Sequence, residues 1–587
     1  MRRGIPVSPG VAVGTAYCLD EIYVNPDTKR LEDREITAEL AKYETACDRA
    51  SHDLRALRTK VTRQVGSAEG AIFGVHESIL RDSTFRNKIR RAIVEERVSA
   101  QGALHQLLNE YTSLFARTRD QYLKERVTDV RDVVLRLSAH LSDVVHAESC
   151  PIEGPLIVAT GELLPSQAVA LGQSDVAAII TESGSQTSHA AIIARSRGVP
   201  AVSGIRGLMR QIKTGDTVVV DGREGHVLIN PDTETLSAYR KLEREFFDLK
   251  DELASNRDKP AASADGVQLS LLANINNVTD ALSATAMGAS GVGLYRTEYL
   301  YLTHPSVPEE EEQLNVYREI IDASPDHNVT IRTLDIGGDK TVPYLGHNQQ
   351  EANPFMGWRS IRLSFEHPVF FNQQIRAALR AGAYARDKHG QIRLMFPMIT
   401  TLEEMRRVRR LTEKACQQLT TEQKDFERIP LGMMLEVPAA AITIDNMLEV
   451  VDFVSIGSND LVQYLMAADR DNPRVSHLCQ PLSPAVLRTL NQVISACNQA
   501  EIPVTLCGEM AGQPRAFVLL LGMGLRNFSM SPAFVPTIKD LAAHVNTDQA
   551  KQILKHVLLL KTTAHVKRFM SSQIKKLAPN LAMLDAV

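Results

Sequence analysis

His189 stands in the run Thr187-Ser188-His189-Ala190-Ala191-Ile192-Ile193-Ala194-Arg195, between the small residues Ser183-Gly184-Ser185 and the helix-stopping Gly198-Val199-Pro200. Thr187 or Ser188 is a suitable N-cap, so the pattern predicts His189 in the first turn of a helix. There it lies beside backbone N–H groups without intrahelical partners and at the positive end of the helix dipole, a favourable place for a phosphoryl anion. A neutral imidazole is also a competent nucleophile near neutral pH. A lone histidine at a helix start more often caps or packs, so the rest of the chain has to decide. A second group of residues bears on the question: Arg, Asp, Glu and Cys gather at the ends of strand-like runs in the C-terminal half.

The elements that would hold these residues follow from hydrophobic period. Gly4 to Gly14 reads as a turn feeding a short strand. Ile36, Leu40, Tyr43, Cys47, Ala50, Leu54, Leu57 and Val61 then alternate steps of four and three, which places them on one helix face. Helical text with few Gly and no Pro continues to about Val145, and such stripes bury themselves on one another as an antiparallel bundle. Strand text returns at Leu156–Ala159, Val176–Ile180 and Thr217–Asp221. The expectation is an α/β domain over 1–29 and 146–230, with a helical subdomain over 30–145 inserted after its first strand. A charged helix from about Thr233 to Arg257, framed by Pro231 and Pro260, makes 231–260 a linker. Strand-like runs then end near Asn274, Arg296, Asp335, Met398, Glu436, Gly457, Cys507 and Met530. Eight β/α units in 261–587 match a (β/α)8 barrel, with an open doubly wound sheet as the alternative. A barrel carries its chemistry at the C-terminal strand ends, where the polar residues sit.

Composition excludes several classes. A formal net charge of -4 gives no general attraction to nucleic acid or anionic membrane. Seven scattered cysteines without a CxxC pair argue against a disulfide framework or zinc site, and favour a reducing compartment. Gly4, Pro6, Pro9 and Gly10 interrupt any apolar signal core, and no apolar run approaches a membrane span. The expected location is the cytoplasm, without membrane insertion.

The His189 motif resembles the phosphohistidine segment of the phosphoenolpyruvate-utilising enzymes. Gly291-Val292-Gly293-Leu294-Tyr295-Arg296-Thr297-Glu298 and Arg332-Thr333-Leu334-Asp335-Ile336-Gly337-Gly338-Asp339-Lys340 resemble that family's two substrate-arginine motifs. Asn353–Arg359, Glu436-Val437-Pro438, Ser455–Asp460, Asp469-Arg470 and Cys507–Gly512 follow in the family's order. The resemblance runs from Gly4 to the last barrel strand. It implies phosphoenolpyruvate as substrate, bound through Arg296, Arg332, Arg470, Arg359 and Asn459, since guanidinium geometry suits phosphate and carboxylate alike. It implies Mg²⁺ on Glu436 and Asp460, Asp460 also facing substrate, and Cys507 as the acid that protonates the enolate. On its own pattern Cys507 reads equally well as a small core residue.

Within the family, dikinases carry a large ATP-grasp region for which 30–145 leaves no room and no phosphate loop. The insertion suits the carrier-docking helices of the branch known as Enzyme I of the sugar phosphotransferase system. The resemblance then implies a small histidine phosphocarrier as partner and a homodimer through the barrel. Alternatives are a dikinase-like activity and a slowly turning regulatory relay. Two departures stand out: Ser185-Gln186 replaces the frequent Gly-Arg before the histidine, and Gly161-Glu162-Leu163-Leu164-Pro165-Ser166 replaces a more usual Asp-Leu-Thr-Pro-Ser.

Overall fold

The structure is a computed structural model, and it describes residues 2–8, 10–19, 30–64, 67–115, 121–141, 154–163, 176–183, 194, 199–222, 225–304, 306–337, 351, 353–470, 472, 474–579 and 581. The chain divides into two compact units, the division falling between Phe247 and Asp248. That point lies inside the helix Thr233–Ser255, whose end is two residues short of the expected Arg257.

The first unit is built on a mixed eight-stranded sheet. Its strands are β1 (Arg2–Arg3), β2 (Ile5–Ser8), β3 (Val11–Cys18), β4 (Leu156–Thr160), β5 (Val176–Thr181), β6 (Ala201–Ser203), β7 (Thr217–Asp221) and β8 (His226–Ile229), in the order β1-β8-β7-β3-β4-β5-β6-β2. β3 through β6 run parallel and are flanked by antiparallel neighbours. Every residue of β4 is buried. Separate apolar clusters, one around Ile157, Ala178 and Val218 and one around Val158, Ile179 and Leu163, cover its two faces, as expected for a parallel core strand. The strand at the start is longer than the sequence pattern suggests, because Thr15, Ala16 and Tyr17 pair with β4 even though Gly14 interrupts the apolar run.

Between β3 and β4 the chain makes one long excursion through the helices α1 (Ile36–Gln64), α2 (Ser67–Arg81), α3 (Ser83–Val94), α4 (Ala100–Phe115) and α5 (Gln121–Leu141). It returns to the strand adjacent to the one it left. The helices own a core distinct from the sheet's, including Tyr43, Cys47, Leu54, Phe73, Leu80, Phe85, Ile89, Leu104 and Leu137. The α1 stripe read from the sequence supplies part of it. Asp82 caps α3 by accepting a hydrogen bond from the Phe85 amide, a contact of the kind that fixes a helix start. In the same unit, Glu243 of the helix Thr233–Ser255 accepts a hydrogen bond from the Val13 amide at 2.9 Å.

The second unit is a closed barrel of eight parallel strands: β9 (Ser270–Ile275), β10 (Val292–Arg296), β11 (Val329–Arg332), β12 (Ile392–Phe396), β13 (Leu431–Leu435), β14 (Phe453–Gly457), β15 (Val504–Cys507) and β16 (Asn527–Met530), with β16 pairing back onto β9. The eight strand runs of the sequence are these eight strands, and closure excludes the open-sheet alternative. Leu294, Met395, Met434, Phe453 and Cys507 form an apolar cluster of their own, separate from the large cluster shared by strands and outer helices. Capping boxes at Thr401/Glu404 and Glu309/Glu312 start two of the outer helices. Among the described residues no helix is long and apolar enough to cross a membrane.

Candidate active site

The C-terminal strand ends of the barrel gather Arg296, Arg332, Glu436 and Cys507. Arg296 and Arg332 are the last residues of β10 and β11 and are register neighbours. Cys507 ends β15, and Glu436 follows β13 directly. Asp460 does not close a strand, since β14 ends at Gly457. It sits in the first turn of the helix Ser458–Met466, with Asn459 beside it. Arg359 also lies off the strands, in the segment that precedes the helix Ile361–Glu366, and Arg470 follows the helix of Asp460.

The arginines are not equivalent. Arg332 is 6% exposed. It pairs with Glu298 and stands 3.3 Å from Asp335, while its Nη1 donates to Met434 Sδ at 3.5 Å. Arg359 is equally buried and turns Nη2 onto both oxygens of Asp335 at 2.9 and 3.0 Å. Its Nη1 donates to the Tyr464 hydroxyl at 3.3 Å. Asp335 therefore serves two guanidiniums and also accepts from the Ser360 hydroxyl. Although burial opposes its charge, these partners hold its carboxyl well below the usual carboxylate range. The Nε atoms of Arg332 and Arg359 are buried with no hydrogen-bond partner, a cost the protein accepts only where something else compensates.

Arg296 is different. Among the described residues it makes no hydrogen bond or ion pair, and burial together with the positive charge of Arg332 pushes its pKa down. Glu298 and Glu509 act on it only at a distance, and a half-buried guanidinium with no hydrogen-bonded carboxylate is a ready acceptor for an anion.

The carboxylates show the complementary imbalance. Glu436 is 1% exposed and accepts from the Met398 amide at 2.6 Å. Burial and the neighbouring charges of Asp460 and Asp335 push its pKa up to about 8, against the opposing pull of Arg332 and Arg359. Asp460 Oδ1 is buried with no hydrogen-bond partner, and Arg470 Nη1 stands 3.6 Å from it. Such a pair, one carboxyl that resists ionisation and one with an oxygen that has no hydrogen-bond partner, suits a small divalent cation that completes its shell with ligand oxygens and water. Among the described residues no cluster of three or more His, Cys, Asp or Glu groups surrounds a point.

Backbone shape supports this arrangement. Gly337 (φ +124°) passes directly against Arg359, and a side chain there would overlap it. Gly508 (φ +131°) lies against the Ser458 hydroxyl, with Asn459 Oδ1 3.1 Å from where a Cβ would stand. Asn459 Oδ1 accepts from the Glu509 amide at 3.3 Å. Cys507 is buried, its Sγ 2.8 Å from the Ser455 hydroxyl. Burial pushes its thiol up, while Ser455, Ser529, Arg296 and Arg332 pull it down.

His189, together with Ser185, Gln186 and the remainder of 184–193, lies outside the described residues, as do Gly338, Asp339 and Lys340. What can be placed is the rim before the histidine. β5 ends at Thr181, and Ser183 donates to the Gly161 carbonyl through its hydroxyl at 2.8 Å. The unusual Gly161-Glu162-Leu163 segment is thereby tied to the strand that leads to His189.

The sequence reading missed Glu298, Asp335, Ser360 and Tyr464. Glu298 and Asp335 lie inside the quoted motifs, so acidic residues three positions or fewer from a motif arginine were the available signal. Nothing in the linear pattern marked Ser360 or Tyr464.

Comparison with known proteins places these residues in a family. The family model described as "PEP-utilising enzyme, PEP-binding domain" matches residues 250–547. "PEP-utilising enzyme, N-terminal" matches 3–126, and "PEP-utilising enzyme, mobile domain" matches 152–225. A protein of Staphylococcus carnosus named phosphoenolpyruvate-protein phosphotransferase is 38% identical over 96% of this chain and 97% of its own. Proteins of the same name from Geobacillus stearothermophilus and Haemophilus influenzae are 39% and 37% identical, over 97% and 96% of this chain and 97% of each of theirs. A solved structure described as Enzyme I (nEIt) is 30% identical, covering 42% of this chain and 99% of that one with a TM-score of 0.33.

Proposed function

The chain belongs to the PEP-utilising enzyme family, and from that premise we propose that it moves the phosphoryl group of phosphoenolpyruvate to His189, releases pyruvate, and passes the group to a histidine of a small phosphocarrier protein. The observation that carries this reading is the unpaired Arg296 beside the anchored Arg332 and Arg359 at the barrel mouth. These cations suit a substrate with a phosphate and a carboxylate on a three-carbon frame.

In this reading Arg296 and Arg332 bind the substrate anions, Arg359 and Arg470 add positive charge, and Asn459 donates to the phosphate. Glu436 and Asp460 would hold Mg²⁺, which supplies charge neutralisation at the phosphoryl oxygens when bound; the raised Glu436 and the orphaned Asp460 oxygen fit that role. A ring nitrogen of His189 attacks phosphorus in line. The N–P bond forms as the P–O bond to the enolate breaks, and fixed cations stabilise the charge in flight. Cys507 then gives its proton to the enolate carbon.

Phosphoryl transfer in both directions requires His189 to visit two sites. The helix Thr233–Ser255, which joins the units, is the element we assign as the hinge. The inserted helices α1–α5 are the assigned dock for the carrier. Their independent core supports this, because it lets them present a surface without disturbing the sheet. A homodimer through the barrel and a cytoplasmic location complete the proposal. The free cysteines at positions 18, 47, 416, 479, 497 and 507 support the second.

Steady-state pyruvate release with and without a phosphocarrier tests the assignment. Release that continues only while carrier is supplied supports it. Carrier-independent turnover, or ATP-dependent exchange as in a dikinase, would replace it. Slow turnover despite ample carrier would favour the regulatory relay.

A further inference from the structure

Beneath Cys507 the barrel interior holds buried hydroxyl groups among apolar side chains. Ser455, on β14, is 1% exposed, and among the described residues its hydroxyl has one hydrogen-bond partner, Cys507 Sγ at 2.8 Å. On the other side, Ser529 of β16 is the register partner of Cys507 and is wholly buried. Its hydroxyl donates to Asn274 Oδ1 at 2.6 Å, and the Asn274 amide donates back to the Ser529 carbonyl at 3.3 Å. Gly293, on β10, gives Ser529 its space: a Cβ there would overlap the Ser529 hydroxyl. The Gly293 carbonyl also accepts from Cys507 Sγ at 3.7 Å.

The surrounding side chains Leu294, Met395, Met434 and Phe453 are apolar. Burying hydroxyls among them is costly unless they are used, and an alanine or a glycine would fill the Ser455 position without that cost. A hydroxyl whose sole partner is a thiol does little for packing. It does a great deal for a thiolate, which accepts strong hydrogen bonds that a neutral thiol does not need.

We propose that Ser455 is a positioning residue for proton transfer, holding the Cys507 thiol toward the substrate and donating its hydrogen bond to the thiolate that forms, with Ser529 and Asn274 fixing the opposite wall. The inference rests on the reading of Cys507 as the proton donor. In the step, the S–H bond breaks, a C–H bond forms at the methylene carbon of the enolate, and the electron pair stays on Sγ. After pyruvate leaves, water returns the proton. The charges facing Sγ are Arg296 from β10 and Arg332 from β11, with Glu298 and Asp335 balancing Arg332 and Glu509 acting on Arg296. Ser455 and Ser529 are the polar groups from β14 and β16. The thiol is raised by burial and lowered by these neighbours, so deletion of the Ser455 hydroxyl raises it further and makes it a weaker acid.

The test uses the full chain with phosphoenolpyruvate and a phosphocarrier. Thiolate absorbance is titrated against Cys507→Ala as blank, and the pH profile of pyruvate formation is measured alongside. For Ser455→Ala the expectation is a Cys507 titration moved up by about one unit, a basic limb moved the same way, and pyruvate formation slowed by about tenfold at neutral pH. Labelling from phosphoenolpyruvate should persist, which shows that the variant is folded. If Ser455→Ala does not label, Ser529→Ala provides the same readout from the other wall. Titration and profile unchanged from wild type overturn the inference. Full pyruvate formation by Cys507→Ala instead overturns the underlying assignment of the donor, whatever Ser455 does.

Discussion

Two kinds of charged residue share the barrel mouth, and substitution separates them. Asp335 anchors Arg332 and Arg359 inside the protein. Asp335→Ala leaves two buried cations short of a partner, and breaking a buried pair in this way costs about 3–5 kcal/mol. Denaturant unfolding should show that loss, and the KM for phosphoenolpyruvate should rise as the guanidiniums shift. Arg296 has no such partner among the described residues. Arg296→Ala should therefore leave thermal stability unchanged or slightly higher while lowering kcat/KM by about 10²–10³-fold, the usual size of losing one preorganised charge-stabilising donor. A variant that lost stability and activity together would mean that Arg296 is structural. The difference between the two arginines was not legible in the sequence, where both close strands in similar motifs. It depends on Glu298, two residues from Arg296 in the chain, pairing with Arg332 on the next strand instead, and a cross-strand choice of that kind leaves no trace in local spacing.

Elements carry the next level of control. The turn after β15 holds Gly508 at φ +131°, a conformation L side chains rarely adopt, with its Cα hydrogen facing Ser458 and Asn459. Gly508→Ala should push the start of the helix Ser458–Met466 away from the strand ends. The expected result is weaker phosphoenolpyruvate binding and a lower Tm. Thr401, which caps an outer helix through the Glu404 amide, is the control: Thr401→Ala should cost about 1 kcal/mol and leave KM unchanged. Most of these elements were readable beforehand. The eight barrel strands are short apolar runs between helical stretches of clear 3.6 period, and α1 shows its stripe from Ile36 onward. β6 and β8 were not readable, since Ala201–Ser203 and His226–Ile229 are too short to show alternation and exist because β5, β2 and β7 pair with them. Asp460 lies beyond the end of β14, in the helix that follows, because the pattern that marks a strand's apolar core does not mark where the following helix begins.

At the scale of the whole molecule, the chain divides into two compact units within one helix, and the first unit carries an insertion with its own core. The insertion leaves β3 and returns at β4, its parallel neighbour; a parallel connection needs about a dozen residues or more to cross back, and 19–29 and 146–155 joined by a short linker in place of 30–145 supply that length. Such a chain should still take label from phosphoenolpyruvate but fail to pass it to the carrier. Loss of both steps would show that α1–α5 serve the first transfer as well. The proposal as a whole stands on His189 as the phosphoryl acceptor. Its most direct measurement is incubation of the full chain with phosphoenolpyruvate labelled in the phosphoryl group, with Mg²⁺, followed by acid treatment and peptide mapping. The predicted result is one acid-labile phosphoryl group on the peptide containing His189, absent from His189→Ala. Acid-labile label of wild-type stoichiometry on His189→Ala would contradict it.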